Sequence, residues 1–149
     1  MILTDNVKVK KVRKDAVLPT YGTASSAGAD LYACLETDSV EIDPRQTVMI
    51  PTGLSMEIPE GFAGLIYARS GLASKKGLAP ANKVGVVDSD YRGEIMVALH
   101  NHSDKVVSVE RGERIAQFII TPYLRANFEK VTELSDTERG AGGFGSTGK

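Results

Sequence analysis

The chain has 149 residues, 42% of them hydrophobic, which is the size of one domain with enough apolar side chains to bury a real core. Its 18 basic and 19 acidic residues leave a net charge of −1, so there is no strongly basic face to hold long nucleic acid, and any phosphate site must be local. The single cysteine, Cys34, cannot form an internal disulfide, and the charged run from Asp5 through Arg13 leaves no apolar leader or membrane span, so the expected protein is soluble and cytoplasmic.

In chain order, apolar residues come mostly in short alternating runs, the period-2 pattern of half-buried strands. Val7 and Val9 form the first such run, Val48 and Ile50 the next, followed by Leu54, Met56 and Ile58. Breakers separate them: Asp43-Pro44, Pro51-Thr52-Gly53 and Pro59-Glu60-Gly61. Residues 62–68 and 115–122 are denser in apolar side chains and read as strands buried on both faces, in a core or at a subunit contact. Between them, one short helix is expected from an N-cap at Ser70 to a C-cap at Gly77. Ile95, Val97 and Leu99, then Val107 and Val109, complete the strand-like runs, with turns at Arg92-Gly93 and Arg111-Gly112. The pattern predicts an all-β sandwich or barrel with one short helix. Residues 1–138 are the expected β domain, and the glycine-rich segment 139–149 is an arm that cannot pack a core and is expected to be flexible.

Polar residues that carry chemistry sit at the breaks. In the segment AGADLYA, Asp30 lies at the start of a strand, and one carboxylate suffices for magnesium only when a ligand's phosphates supply the rest of the shell. The segment ARSGLA places Arg69, Ser70 and Gly71 where a strand meets the helix, a reasonable phosphate cradle and equally a plain capped helix. The segment GVVDSDYRGE holds Asp88, Asp90 and Tyr91 in a polar turn. There an aspartate can orient and deprotonate water or simply bond the turn's own backbone, and the second reading is the stronger from these residues alone. His100 and His102 lack further ligands and read as turn residues. The arm matches the spacing of dinucleotide-binding and P-loop motifs, yet no strand-turn-helix context surrounds it. Arg139, Ser146 and Thr147 and the backbone amides of glycines such as Gly145 suit phosphate, and Phe144, alone among glycines, suits stacking on a flat base.

Taken together and in order, AGADLYA, ARSGLA, Asn82 with GVVDSDYRGE, GERIAQ at 112–117 and RGAGGFGSTG at 139–148 resemble the five motifs of the trimeric dUTP diphosphatase family. The resemblance spans nearly the whole chain. It implies a jelly-roll-like β-barrel, a homotrimer with active sites built from all three subunits, and hydrolysis of dUTP to dUMP and pyrophosphate, which keeps uracil out of DNA and supplies dUMP for dTTP synthesis. By the same resemblance, Asp88 activates the attacking water and Tyr91 packs under deoxyribose. Asn82 and backbone near Gly85 read uracil. Arg69, Ser70, Gly71 and Gln117 hold phosphates, Arg139, Ser146 and Thr147 clamp the terminal phosphate with Gly145 alongside, and Phe144 stacks on the base. Asp30 meets Mg2+ through water. The rival enzyme of the same fold is a dCTP deaminase, which lacks the glycine-rich arm; the rival of another class is a regulatory protein that binds dUTP without turnover.

Overall fold

The computed structural model describes residues 6–145 and is built almost entirely of short antiparallel strands. They are β1 (Lys8–Lys11), β2 (Thr20–Tyr21), β3 (Ala29–Tyr32), β4 (Ser39–Ile42), β5 (Thr47–Pro51), β6 (Leu54–Glu57) and β7 (Phe62–Tyr67), then the helix α1 (Ser70–Lys76), then β8 (Leu78–Pro80), β9 (Gly85–Val87), β10 (Met96–Asn101), β11 (Val107–Glu110) and β12 (Arg114–Pro122). Among the described residues they make four sheets: β1 with β6, β4 with β11, the order β5-β10-β8, and the order β2-β3-β12-β7-β9. The all-β architecture with one short helix is the one that the alternating pattern implies.

Alternation explains the burial. In β10, Val97, Leu99 and Asn101 point inward, and in β5 Ile50 is buried while its neighbour Met49 is exposed. One continuous core draws on every sheet, with Leu54 and Met56 from the first, Ile42 and Val109 from the second, Ile50, Leu78 and Leu99 from the third, and Leu31, Ile66, Ile115 and Phe118 from the fourth. Cys34 belongs to this core, and burial pushes its thiol up from the ordinary value. Asn101 is the polar exception. Its side-chain amide donates to the carbonyls of Ile42 and Lys105 and its oxygen accepts from the Ser103 N–H and hydroxyl, so a buried polar group costs little because each atom is partnered.

Three expectations are adjusted. The dense runs form β7 and β12, which pair with each other from Gln117↔Tyr67 to Pro122↔Phe62, but within the chain the face opposite Ile66 and Phe118 is less covered, with the cross-strand pair Leu65 and Ile119 only half-buried. The helix begins one residue earlier than expected. Arg69 is the N-cap, extended at φ −87 and ψ 129, and its carbonyl accepts the first helical bond from Ala73 at 2.9 Å, so the Ser70 hydroxyl caps nothing. The C-terminal signal holds, since Gly77 adopts the left-handed conformation at φ 68 that a side chain would oppose. His100 lies in β10, with Nδ1 at 2.9 Å from the Thr47 hydroxyl, and only His102 lies past the strand.

Candidate active site

Strand register assembles the first group of candidate residues. Asp30 on β3 and Gln117 on β12 are direct cross-strand partners, and Gln117 also faces Tyr67 on β7. The Gln117 amide donates to the Ala68 carbonyl at 2.9 Å, which is where the chain leaves β7 for α1. Gly28 makes room for it: a Cβ there would sit 2.6 Å from Gln117 Oε1. Arg69 then turns back over the sheet, its Nε donating to Asp30 Oδ1 at 2.8 Å, while Arg114 Nη1 donates to Asp30 Oδ2 at 3.3 Å. One carboxylate, 14% exposed, thus orients two guanidinium groups and leaves a positive charge in excess. The Ser70 hydroxyl and the open backbone at Gly71 complete the lining of a cleft of about 390 Å³.

The second group lies elsewhere. β9 pairs with β7 through Ile66↔Gly85 to Gly64↔Val87 and delivers Asp88 at its end. The turn that follows is closed by the Tyr91 N–H donating to the Asp88 carbonyl at 3.2 Å and braced by Arg92 Nη1 donating to the Ser89 carbonyl at 2.6 Å. This corrects the expectation that the aspartates bond the turn's own backbone: neither the Asp88 nor the Asp90 carboxylate takes a hydrogen bond from the described residues. Asp88 lines a cleft of about 310 Å³ together with Asn82, Gly85 and Tyr91, whereas Asp90 does not. The remaining lining is apolar and includes Ile66, Pro80 and Val87. Tyr91 folds its ring over Gly93, where a Cβ would lie 2.4 Å from Tyr91 Oη, and the phenol donates to the Glu94 carbonyl at 2.9 Å.

The third group is apart from both. Arg139 Nε donates to the Gly142 carbonyl at 2.8 Å, and Phe144 is fully exposed at φ 52 beside Gly145. Ser146 and Thr147 lie outside the described residues. The two clefts share no lining residue, so one chain does not bring the predicted site residues together.

A family model described as dUTPase matches residues 14–148. The chain is 49% identical over 140 residues to a deoxyuridine 5'-triphosphate nucleotidohydrolase of Acinetobacter baumannii, covering 93% of each protein. It is 51% identical over 140 residues to the protein of that name from a Hydrogenobaculum species, covering 94% of this chain and 96% of the relative. The chain belongs to the dUTPase family. The structure of a Staphylococcus bacteriophage 80alpha dUTPase mutant with dUpNHpp matches at a TM-score of 0.88 and 29% identity, over 98% of this chain and 100% of that one. The fold is therefore the jelly-roll-like β fold of the dUTPases.

Sequence reasoning missed Arg114, Gly28 and Glu94. Arg114 stood inside the motif GERIAQ, but only the pairing of β12 with β3 shows that it reaches Asp30. Glu94 closes the motif-three turn. Its carboxylate accepts from Arg13 and from the Gly53 N–H, and the bond to Arg13 above all holds it below the usual glutamate value of 4.5. A carboxyl group lowered in the folded state contributes stability that is fully present above its unfolded value and is lost as pH falls through the folded one. Glu94→Gln should accordingly lower stability at pH 7 by about 1 kcal/mol and flatten the decline as pH falls below the ordinary glutamate value of 4.5. Urea midpoints measured across that decline check this; parallel profiles for both proteins would remove Glu94 from the acid transition.

Proposed function

We propose that this dUTPase family member hydrolyses dUTP to dUMP and pyrophosphate as a homotrimer whose active sites combine residues of all three subunits. The observation that carries the shared site is the separation within one chain: the Asn82–Tyr91 cleft suits a base and sugar, the Asp30–Gln117 cleft suits phosphates, and they have no residue in common. Residues Leu124, Phe128 and Leu134 support the assembly. They are 86% or more exposed on a segment that, from residue 124 to 145, forms no hydrogen bond with the β body, an apolar cost that a neighbouring subunit would remove.

In this reading Asp88 orients and deprotonates the water that attacks the α-phosphorus; it is exposed, lines the cleft, and its carboxylate takes no hydrogen bond from the described residues. Asn82 and the backbone at Gly85 select uracil. Such a site rejects the wrong base because buried polar groups would be left unpaired. Tyr91 excludes a 2′-hydroxyl. Arg69, Ser70, Gly71 and Gln117 hold the phosphate chain, with Arg114 an added cation beside them. Arg139, Phe144, Gly145, Ser146 and Thr147 close over the bound nucleotide, clamping its last phosphate and stacking on its base. The triphosphate repels an incoming hydroxide, so positioning and preorganised charge carry most of the acceleration.

The residues present fit magnesium as a companion of the substrate. No cluster of three acidic, histidine or cysteine side chains exists among the described residues, and Asp30 is a single carboxylate on the phosphate cleft that spends part of its capacity on Arg69 and Arg114. That donor set suits a magnesium ion held chiefly by phosphates, with Asp30 reaching it through water. When bound, the ion supplies charge neutralisation and pyrophosphate stabilisation. No helix among the described residues is long and apolar enough to cross a membrane.

The test is pyrophosphate release from dUTP, UTP, dCTP and dTTP taken separately, with magnesium and with chelator. Release from dUTP alone, lost on chelation, is expected. Tight dUTP binding without release would place the protein among non-catalytic nucleotide binders, and ammonia from dCTP would move it to deamination.

A further inference from the structure

The turn carrying Asp88 and Tyr91 is held from behind by residues that line neither cleft. Glu94 is the link. Its main-chain carbonyl accepts the Tyr91 phenol at 2.9 Å, while its carboxylate, 20% exposed, takes Arg13 Nε at 2.7 Å on one oxygen and Arg13 Nη2 at 3.1 Å on the other. A two-point guanidinium–carboxylate contact of this kind fixes direction as well as distance. The Gly53 N–H adds a third bond to Glu94 at 2.9 Å.

The far side of the pair is rigid. Gly53 sits at φ 71, and a Cβ there would lie 2.7 Å from Ala16 Cβ and 2.9 Å from Cys34 Sγ, so this main chain is closely surrounded. The Val12 N–H donates to the Gly53 carbonyl at 2.8 Å, which ties the Arg13 segment to the same turn. On either side of Glu94, the Ser55 hydroxyl donates to the Arg92 carbonyl and the Thr52 hydroxyl to the Ile95 carbonyl at 2.7 Å. Residues 92–95 are thereby pinned to the β5–β6 corner, and the Tyr91 ring, packed over Gly93, is anchored to that pinned strip at its hydroxyl end.

We propose that Arg13 and Glu94 are positioning residues for sugar selection: their two-point ion pair holds the Glu94 carbonyl where it keeps the Tyr91 ring pressed to Gly93, and so sets the wall that excludes a 2′-hydroxyl. This rests on the assignment of Tyr91 to the deoxyribose. Loosening the pair frees the phenol end of the ring, the wall recedes, and a ribose is admitted. The phosphate cleft shares no residue with this network, so the effect falls on sugar choice more than on phosphate binding.

The experiment compares kcat/KM for dUTP and UTP in the intact protein and in Arg13→Gln, Arg13→Lys and Tyr91→Ala, each checked for oligomeric state and thermal midpoint. A merely structural role lowers the midpoint and depresses both nucleotides alike. The positioning role lowers the dUTP-to-UTP ratio by about tenfold in Arg13→Gln, with a smaller loss in Arg13→Lys, which keeps the charge without the fork. A folded Arg13→Gln with an unchanged ratio, beside a Tyr91→Ala that has lost it, overturns the positioning role and leaves the sugar assignment standing. An unchanged ratio in Tyr91→Ala overturns the sugar assignment itself. If Arg13→Gln does not fold, the ratio in Arg13→Lys decides, and no change there refutes the proposal.

Discussion

Asp88→Asn should bind dUTP as tightly as the parent protein and turn it over about 10³-fold more slowly, the scale expected when a general base is removed from an otherwise intact site. The substitution keeps size and shape. Because the turn is closed through main-chain groups and the Arg92 side chain, and not by the Asp88 carboxylate, its geometry should survive the change. Calorimetric binding of dUTP without magnesium, together with steady-state turnover with it, separates the two effects. Asp90→Asn is the informative control: Asp90 does not line the cleft, so its turnover should stay within about tenfold of the parent. Comparable rates for Asp88→Asn and the parent would refute the base assignment, and equal losses in both variants would mean that the turn, not one carboxylate, is what matters.

Deletion of residues 139–149 should leave a folded trimer whose turnover on dUTP has fallen by about 10²-fold or more. The folding half of this expectation rests on contacts. In the described part of the deleted segment, Arg139 bonds to Gly142 and Gly140 bonds to Thr137, and no hydrogen bond reaches the β body. Removing that described part therefore orphans no buried group of the β body. The catalytic half rests on what the segment carries: a guanidinium at Arg139, an exposed aromatic ring at Phe144, and hydroxyls at Ser146 and Thr147. Size-exclusion chromatography and thermal melting report the fold, and pyrophosphate release reports the activity. An unchanged turnover number would show that the arm has no part in closing the site.

Much of the chain was legible before folding is considered. The inward positions of β5 and β10, the stop of α1 at Gly77 and the strand-rich class all follow from spacing of side chains a few residues apart. Where local reasoning slipped, a longer-range contact had intervened. Ser70 has the chemistry of an N-cap, yet Arg69 takes that position in extended backbone, with its side chain drawn to Asp30, 39 residues earlier. The dense runs of β7 and β12 were expected to be buried on both faces, and within one chain the second face is only half covered. The Asp-Ser-Asp string resembled a self-bonded turn, but the hydrogen bonds that close it come from the main chain and from Arg92.

The amino-acid order by itself determined the β class, the single short helix and membership of the dUTPase family, because alternation, turn chemistry and motif strings are local properties of a chain. Tertiary structure alone decided that Asp88 rather than Asp90 faces a cleft, that Asp30 is held between Arg69 and Arg114, and that Glu94 ties Tyr91 to Arg13. It also decided that the two halves of the candidate site stand apart in one chain. The physical reason is common to all four: each depends on strand register, and register is set when distant segments bury a shared core, a condition that no window of neighbouring residues contains.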